Sequence, residues 1–297
     1  MIINTAALNA LRVTFQNDFQ TGLTLAALMK NRVATIVPSS NAQNTYGWLA
    51  NVPSMREWIG ARVAQNIAEA SYTLLNKAWE LTIAVDRYDI EDDNLGVYAP
   101  LFSQMGMSTS ANEEILTWAA LKAGFTSKCY DGQNFFDTVH PVLDANGAVT
   151  NVANTDGGAG TPWFLMCTKQ PVKPLLFQSR KAPEFVSRDK VTDDNVFDER
   201  MFKYGVDARY NVGYGFWQMA WGSKQTLNNA NYATARAAIM GMKGDYGRPL
   251  GLVPDLLVVP PALESAGRQL LNSEYGTAGV TNEWKDTAEL LVVPWLA

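Results

Sequence analysis

The alternation from Met201 to Arg209 constrains this chain more than any other stretch. Phe202, Tyr204, Val206 and Ala208 interleave with Met201, Lys203, Gly205, Asp207 and Arg209. A period of two with one apolar face is a strand that must lie on a core. The residues that follow, Gly213-Tyr214-Gly215-Phe216-Trp217, set three aromatics among two glycines. Large anchors therefore sit where backbone has freedom to approach its neighbours. From Pro174 to Gly222 nothing has the form of a reaction centre. The stretch reads as a mostly apolar platform with a polar loop, Ser187 to Asn195, hanging from it.

A chain of 297 residues can bury a sizeable core as one large or two small domains. Nine tryptophans accompany only 18% charged residues, the balance either of a surface that partners cover or of a large aromatic-rich core in a monomer. The net charge is −5 and no Lys/Arg run forms a nucleic-acid footprint, so DNA is not gripped by phosphate neutralisation. Cys129 and Cys167 are the only cysteines, too few and too distant for a disulfide framework or a cysteine metal motif. One histidine excludes His-rich zinc and facial-triad iron sites. The N-terminus lacks signal-peptide form, and no apolar run reaches the length of a membrane span.

Near the N-terminus, Leu8, Leu11, Phe15 and Phe19 fall at helical spacing, with Gly22 expected to end the helix, and the narrow apolar stripe lies either on its own domain or on a neighbouring subunit. Arg32 to Val37 is a short strand stopped by Pro38. Ser54-Met55-Arg56-Glu57 has capping-box form. Tyr72, Leu74 and Leu75 are expected to pair with the alternating Leu81, Ile83 and Val85 in a hairpin turned at Asn76-Lys77. Such a ribbon needs a surface to lie on, its own or a neighbour's. Asp89, Glu91, Asp92 and Asp93 lack the spacing of a calcium loop and are read as acids that start a helix. Ile115, Trp118, Ala119 and Lys122 trace a helical stripe ending at Gly124, and Ser110 with Glu113 could divide the region into two helices.

Cys129 and His140 are the single conceivable nucleophile–base pair, but no third orienting group stands out, and the histidine reads as a packing or loop residue. Asp144 to Thr161 is a glycine-rich surface loop without the Lys-Ser/Thr ending of a phosphate-binding loop. Trp163 to Thr168 is a buried strand. Tyr232 to Met242, Leu256 to Val259 and Ala262 to Leu271 form a helix–strand–helix series, and Glu289 to Val293 is a last strand. No cofactor is expected.

Five segments taken together resemble the Mu-like prophage major head subunit (gpT-type) family of phage major capsid proteins. They are NKAWELTIAVDRYDIEDDNLGVY (76–98), KCYDGQNFFDTVHP (128–141), LLFQSRKAPEFVS (175–187), GVDARYNVGYGFWQMAWGS (205–223), and LLVVPPALESAGRQLL onward to AELLVVPW (256–295). The resemblance implies an α+β fold of the Hong Kong 97 type. It implies an N-terminal arm (1–52), an extended hairpin loop (53–90), a peripheral domain with a long spine helix (91–215 and 288–297) and an axial domain (216–287). Subunit contacts are then expected at Phe15 and Phe19 of the arm, at Lys77, Trp79 and Glu80 of the hairpin, and at Asp92. The implied role is a non-enzymatic head protein. It self-assembles into hexamers and pentamers of an icosahedral shell around double-stranded DNA. A scaffold, a portal and a decoration protein are its implied partners, and assembly takes place in the host bacterial cytoplasm. A cargo-storing encapsulin shell is the alternative on the same fold, and the long N-terminal arm favours the phage head. A carboxylate-based hydrolase using the acids near Asp89 would leave the platform unexplained. No acceptor for a Lys77 isopeptide stands out, so no cross-link is expected.

Overall fold

A computed structural model describes residues 3–50, 72–92, 95–276 and 279–297. The Ser54–Glu57 box and Asp93 lie outside them. In chain order the elements begin with α1 (Thr5–Leu25), β1 (Ala34–Pro38), β2 (Gln43–Thr45), β3 (Thr73–Leu75), β4 (Lys77–Asp86), α2 (Arg87–Glu91) and α3 (Ala99–Ala123). Next come β5 (His140–Leu143), β6 (Val149–Val152), β7 (Thr155–Gly158), β8 (Trp163–Met166), β9 (Leu175–Arg188), α4 (Asp194–Glu199) and β10 (Met201–Tyr214). The chain closes with β11 (Ala220–Lys224), α5 (Asn229–Met240), β12 (Lys243–Gly244), β13 (Arg248–Pro249), β14 (Leu256–Val259), α6 (Glu264–Leu271) and β15 (Glu289–Val292).

The alternating stretch is β10, and its Phe202, Tyr204, Val206, Ala208 and Tyr210 are all buried. It pairs antiparallel with β9 on one side and β4 on the other, and β1 runs parallel to β9, giving the order β1-β9-β10-β4. A second sheet, β15-β14-β8-β11-β7, mixes parallel and antiparallel pairs, with α5 against β11 and α6 against β14 and β15. The helix–strand–helix series is thus present as α5, β14 and α6. The expected divisions at 216 and 288 cut through this sheet. β8 is hydrogen-bonded to both β11 and β14, and the last strand pairs with β14. The continuous apolar runs at 163–166 and 256–259 are adjacent central strands, buried on both faces, and this holds the two halves together.

Leu8, Leu11, Phe15 and Phe19 form the buried stripe of α1, but Gly22 does not end the helix. It lies where α1 crosses α3: a Cβ at Gly22 would fall 1.9 Å from the Ser103 carbonyl oxygen, and one at Gly106 would fall 2.2 Å from the Phe19 carbonyl oxygen. Only glycine on each helix permits this approach. Around it, Phe15 stacks on Phe102 (4.1 Å between centroids) and meets Tyr204 edge-on at 5.2 Å. Full burial of each such ring contributes about 1.5–3 kcal/mol. α3 is one unbroken helix of 25 residues, and its buried face is Phe102, Met105, Thr109, Glu114, Thr117, Trp118 and Leu121. Ile115 is 45% exposed, so the expected stripe is rotated from the true one. Ser110 caps nothing; its hydroxyl donates to the Leu23 carbonyl at 3.0 Å, another tie from α3 to α1.

Residues 53–71 of the expected hairpin loop lie outside the described residues, and among the described ones Thr73–Leu75 and Lys77–Asp86 do not pair with each other. β3 pairs with β2, while β4 pairs with β10 from Lys77↔Tyr210 to Asp86↔Met201. Asn76 is the pivot between the two ladders: its amide donates to Ser39 Oγ (2.9 Å) and Asn41 O (2.8 Å), and its Oδ1 accepts from Gln178 Nε2 at 2.8 Å. The glycine-rich stretch 144–161 also departs from a simple loop. It carries β6, paired with β5, and β7, parallel to β11. Gly158 has φ of +99° and lies so near β11 that a Cβ would sit 2.5 Å from the Lys224 carbonyl.

The helix crossing yields a direct test. Gly106→Ala forces α1 off α3 and destabilises the subunit by about 1–3 kcal/mol, the usual cost of overpacking. Gly96→Ala, whose Cβ meets nothing within 4 Å, is the matched control in denaturant unfolding. Equal midpoints for the two variants would show that the helices separate without cost.

Candidate functional site

The chain following α3 turns through Asp131-Gly132 and enters β5 at His140. That turn brings Cys129 and His140 together with a third group the sequence did not mark. His140 Nδ1 lies 2.6 Å from Asp131 Oδ2, and the Cys129 thiol donates to Asp131 Oδ1 at 3.1 Å. The imidazole stacks on Trp217 with centroids 3.9 Å apart and planes 9° from parallel, and its Nε2 is 3.2 Å from Asn154 Oδ1. The carboxylate stands between thiol and imidazole, so the histidine does not serve the sulfur as a base. Burial, and then the Asp131 charge, push the thiol far above its ordinary value. A buried, protonated thiol is inert as a nucleophile. Burial alone would raise the Asp131 carboxyl, but hydrogen bonds from His140 and Cys129, with the His140 charge, outweigh it and hold the carboxyl below its ordinary range. Asp-Gly in a turn is so common that the sequence offered no reason to give Asp131 a further role.

The expected contact residues do not converge. Phe15 and Phe19 are buried within their own chain, because α3 and β10 already cover the stripe of α1. They are core residues, and the arm helix does not offer them to a neighbour. Lys77 and Glu80 are exposed on β4, on opposite faces, and Asp92 is exposed just beyond α2. Trp79 is half-buried, stacked on Tyr210 at 6.0 Å, with its indole N–H donating to the Tyr210 carbonyl at 3.1 Å. Among the described residues β4 has no strand beyond it, so Lys77 to Asp86 forms a sheet edge with one side of its backbone unpaired.

The acids after β4 are structural. Asp86 caps α2 by accepting the Tyr88 amide at 2.8 Å, and it accepts from Arg200 Nη2 at 3.0 Å. Asp89 accepts from the Tyr98 hydroxyl, and Arg87 donates to Glu91 at 2.9 Å. Asp92 sits at the end of α2 rather than its start, because Asp86 has already taken the cap.

The only hydrogen-bonded cluster of thiol, imidazole and carboxylate among the described residues is buried, while an edge strand and exposed charges lie at the surface. Such a molecule is arranged to be assembled. The model of the Mu-like prophage major head subunit gpT matches residues 8–296. The chain belongs to that family. Over 305 aligned residues it is 42% identical to the major capsid protein of Escherichia phage Mu, covering all of both chains. Its fold superposes on the procapsid protein of bacteriophage JBD30 with a TM-score of 0.86 at 43% identity, over 99% of this chain and 100% of the other. The JBD30 capsid decorated with minor capsid protein trimers gives a TM-score of 0.79 at 34% identity, over 94% of each chain. The head subunit therefore has the α+β major capsid fold expected from its sequence. It is a structural component of a phage virion that assembles into an icosahedral shell, and not an enzyme. These matches favour the phage head over the encapsulin shell. Among the described residues no helix of the head subunit is long and apolar enough to cross a membrane.

Asp86 provides the pH test. The Tyr88 amide, against burial and aided by Arg200, holds its carboxyl below the ordinary value of 3.8. A depressed carboxyl stabilises the fold above that value and loses this contribution as pH falls through its folded pKa. Asp86→Ala should therefore cost about 1 kcal/mol at neutral pH, as loss of a helix cap does. The gap to the native chain should close in acid below 3.8 in unfolding curves measured across pH. A gap that stays constant through that window would remove the carboxylate from the account.

Proposed function

We propose that copies of this chain form hexamers and pentamers, which close the shell around double-stranded DNA. In this reading Lys77, Trp79, Glu80 and Asp92 lie at contacts between subunits. The observation that carries it is the near-complete superposition on the JBD30 procapsid protein. The free edge of β4 supports the placement, since an edge strand with exposed charges on both faces suits pairing with a neighbour of fixed register. The net charge of −5 supports a shell that encloses DNA without binding its sequence. A scaffold and a portal are the partners that head assembly implies, with assembly in the host bacterial cytoplasm. The trimers on the JBD30 capsid support a decoration protein as a further one.

Size-exclusion chromatography with negative-stain microscopy of the purified chain should give shells, tubes or ring-shaped capsomers. Lys77→Glu should abolish these particles while shifting subunit stability by less than about 0.5 kcal/mol, as surface substitutions do. Nuclease-protected DNA inside particles from infected or induced cells separates a genome container from a protein-storing one. A chain that stays monomeric at every concentration with its scaffold present would end the assembly reading. Particles formed equally well by Lys77→Glu would remove that residue from the contact.

A further inference from the structure

Asn154 fixes the direction of the hydrogen bonds around the Cys129–Asp131–His140 cluster. Its amide nitrogen donates to the carbonyls of Phe135 (2.8 Å), Trp217 (3.2 Å) and Ala220 (3.3 Å). The amide orientation is thereby assigned by its partners, and Oδ1 is the acceptor, already receiving the Asp137 amide at 2.9 Å. His140 Nε2 faces the same Oδ1 at 3.2 Å and so carries a proton. The other ring nitrogen then faces a carboxylate oxygen at 2.6 Å, where a bare lone pair would be repelled. A positive centre has to lie between them. A proton shared between Nδ1 and Asp131 Oδ2 meets that need, and a thiol proton occupies the equivalent place between Cys129 and Asp131.

We propose that this cluster is a binding site for a divalent metal ion of the zinc class, with Cys129 Sγ, Asp131 and His140 Nδ1 as ligands. The three ligand atoms lie within 4.8 Å of one another, and a thiolate, an imidazole and a carboxylate together favour zinc over magnesium or calcium. Metal–ligand bonds of about 2.0–2.3 Å require the Asp131–His140 contact to open by less than about 1 Å. The outer groups are already those of a ligating histidine. Its remote N–H is held by Asn154, its ring plane by Trp217, and the carboxylate by the Gln133 amide at 3.0 Å. The side chain of Asp131 is 9% exposed and gives the ion its approach, while His140 is fully buried. On binding, metal–sulfur, metal–nitrogen and metal–oxygen bonds form. The thiol S–H breaks, the proton between Nδ1 and Asp131 Oδ2 is displaced, and the two protons leave to solvent with no change of oxidation state. The ion would fasten the segment after α3 to β5 and, through Asn154, to the backbone at Trp217 and Ala220.

Cobalt(II) is the probe. The chelator-treated full chain, titrated with cobalt(II), should bind one equivalent with a thiolate-to-cobalt charge-transfer band, which zinc then removes. Calorimetry in buffers of different ionisation enthalpy should report two protons released per zinc. Cys129→Ser and His140→Gln should lose the band and weaken zinc binding at least about tenfold. Cys167→Ser, at the other buried cysteine, should keep both. Should the variants fail to fold by circular dichroism, zinc-edge X-ray absorption of the native chain should find one sulfur in the metal shell. No thiolate band on the native chain, a band that survives Cys129→Ser, or a zinc shell without sulfur would each overturn the site and leave the cluster as a hydrogen-bonded one.

Discussion

A strand 14 residues long, with large rings along its buried face, has to be covered along its whole length. β10 meets that demand by belonging to two cores at once. Phe202, Tyr204 and Val206 pack with α1, α3 and Ile90 of α2, whereas Ala208, Tyr210 and Tyr214 join the larger cluster built on the second sheet. Each half buries rings worth several kcal/mol together. Neither core can loosen without exposing part of the same strand. For a shell subunit this matters mechanically, because among the described residues β10 is the one strand that pairs with β4.

The rest of the frame is set by close approaches and by buried polar groups with a full set of partners. Gly22 and Gly106 bring α1 onto α3 at backbone contact, and the aromatic cluster fills the space that the helices leave. Farther along α3, Glu114 is buried and accepts the Lys30 amide (2.9 and 3.1 Å) and the Trp118 indole (2.8 Å). Burial pushes its carboxyl up despite these donors. Gln178 plays the same part under β3, taking the Tyr46 hydroxyl at 2.7 Å and giving to the Leu74 carbonyl at 3.1 Å. Such groups add little net stability over apolar packing, but they penalise every arrangement that leaves them unpaired. They fix how segments far apart in the chain meet.

The chemistry of the molecule follows the same division. Cys129 and the one histidine are buried in Asp131's hydrogen-bond network, Cys167 is buried apart from it, and the surface offers edges and charges. A head protein acts through association, and the interior has only to hold its contact surfaces in place.

Much of this was legible in the chain itself. The period of two in β10, the stripe of α1, the buried runs at 163–166 and 256–259, and the α5–β14–α6 order all follow from local apolar spacing. Spacing reports which face of an element is apolar, because that is a property of neighbouring residues. It does not report what covers the face. The partner of Thr73–Leu75 is Gln43–Thr45, and that of Lys77–Asp86 lies more than a hundred residues away. Nothing local distinguishes those ladders from a hairpin. The same limit hid the burial of Phe15 and Phe19 under their own chain, the rotation of the α3 stripe away from Ile115, the sheet that joins 163–166 to 289–292, and the role of Asp131. Each was decided by contacts between distant segments, where close packing and the need to satisfy buried polar groups select one arrangement.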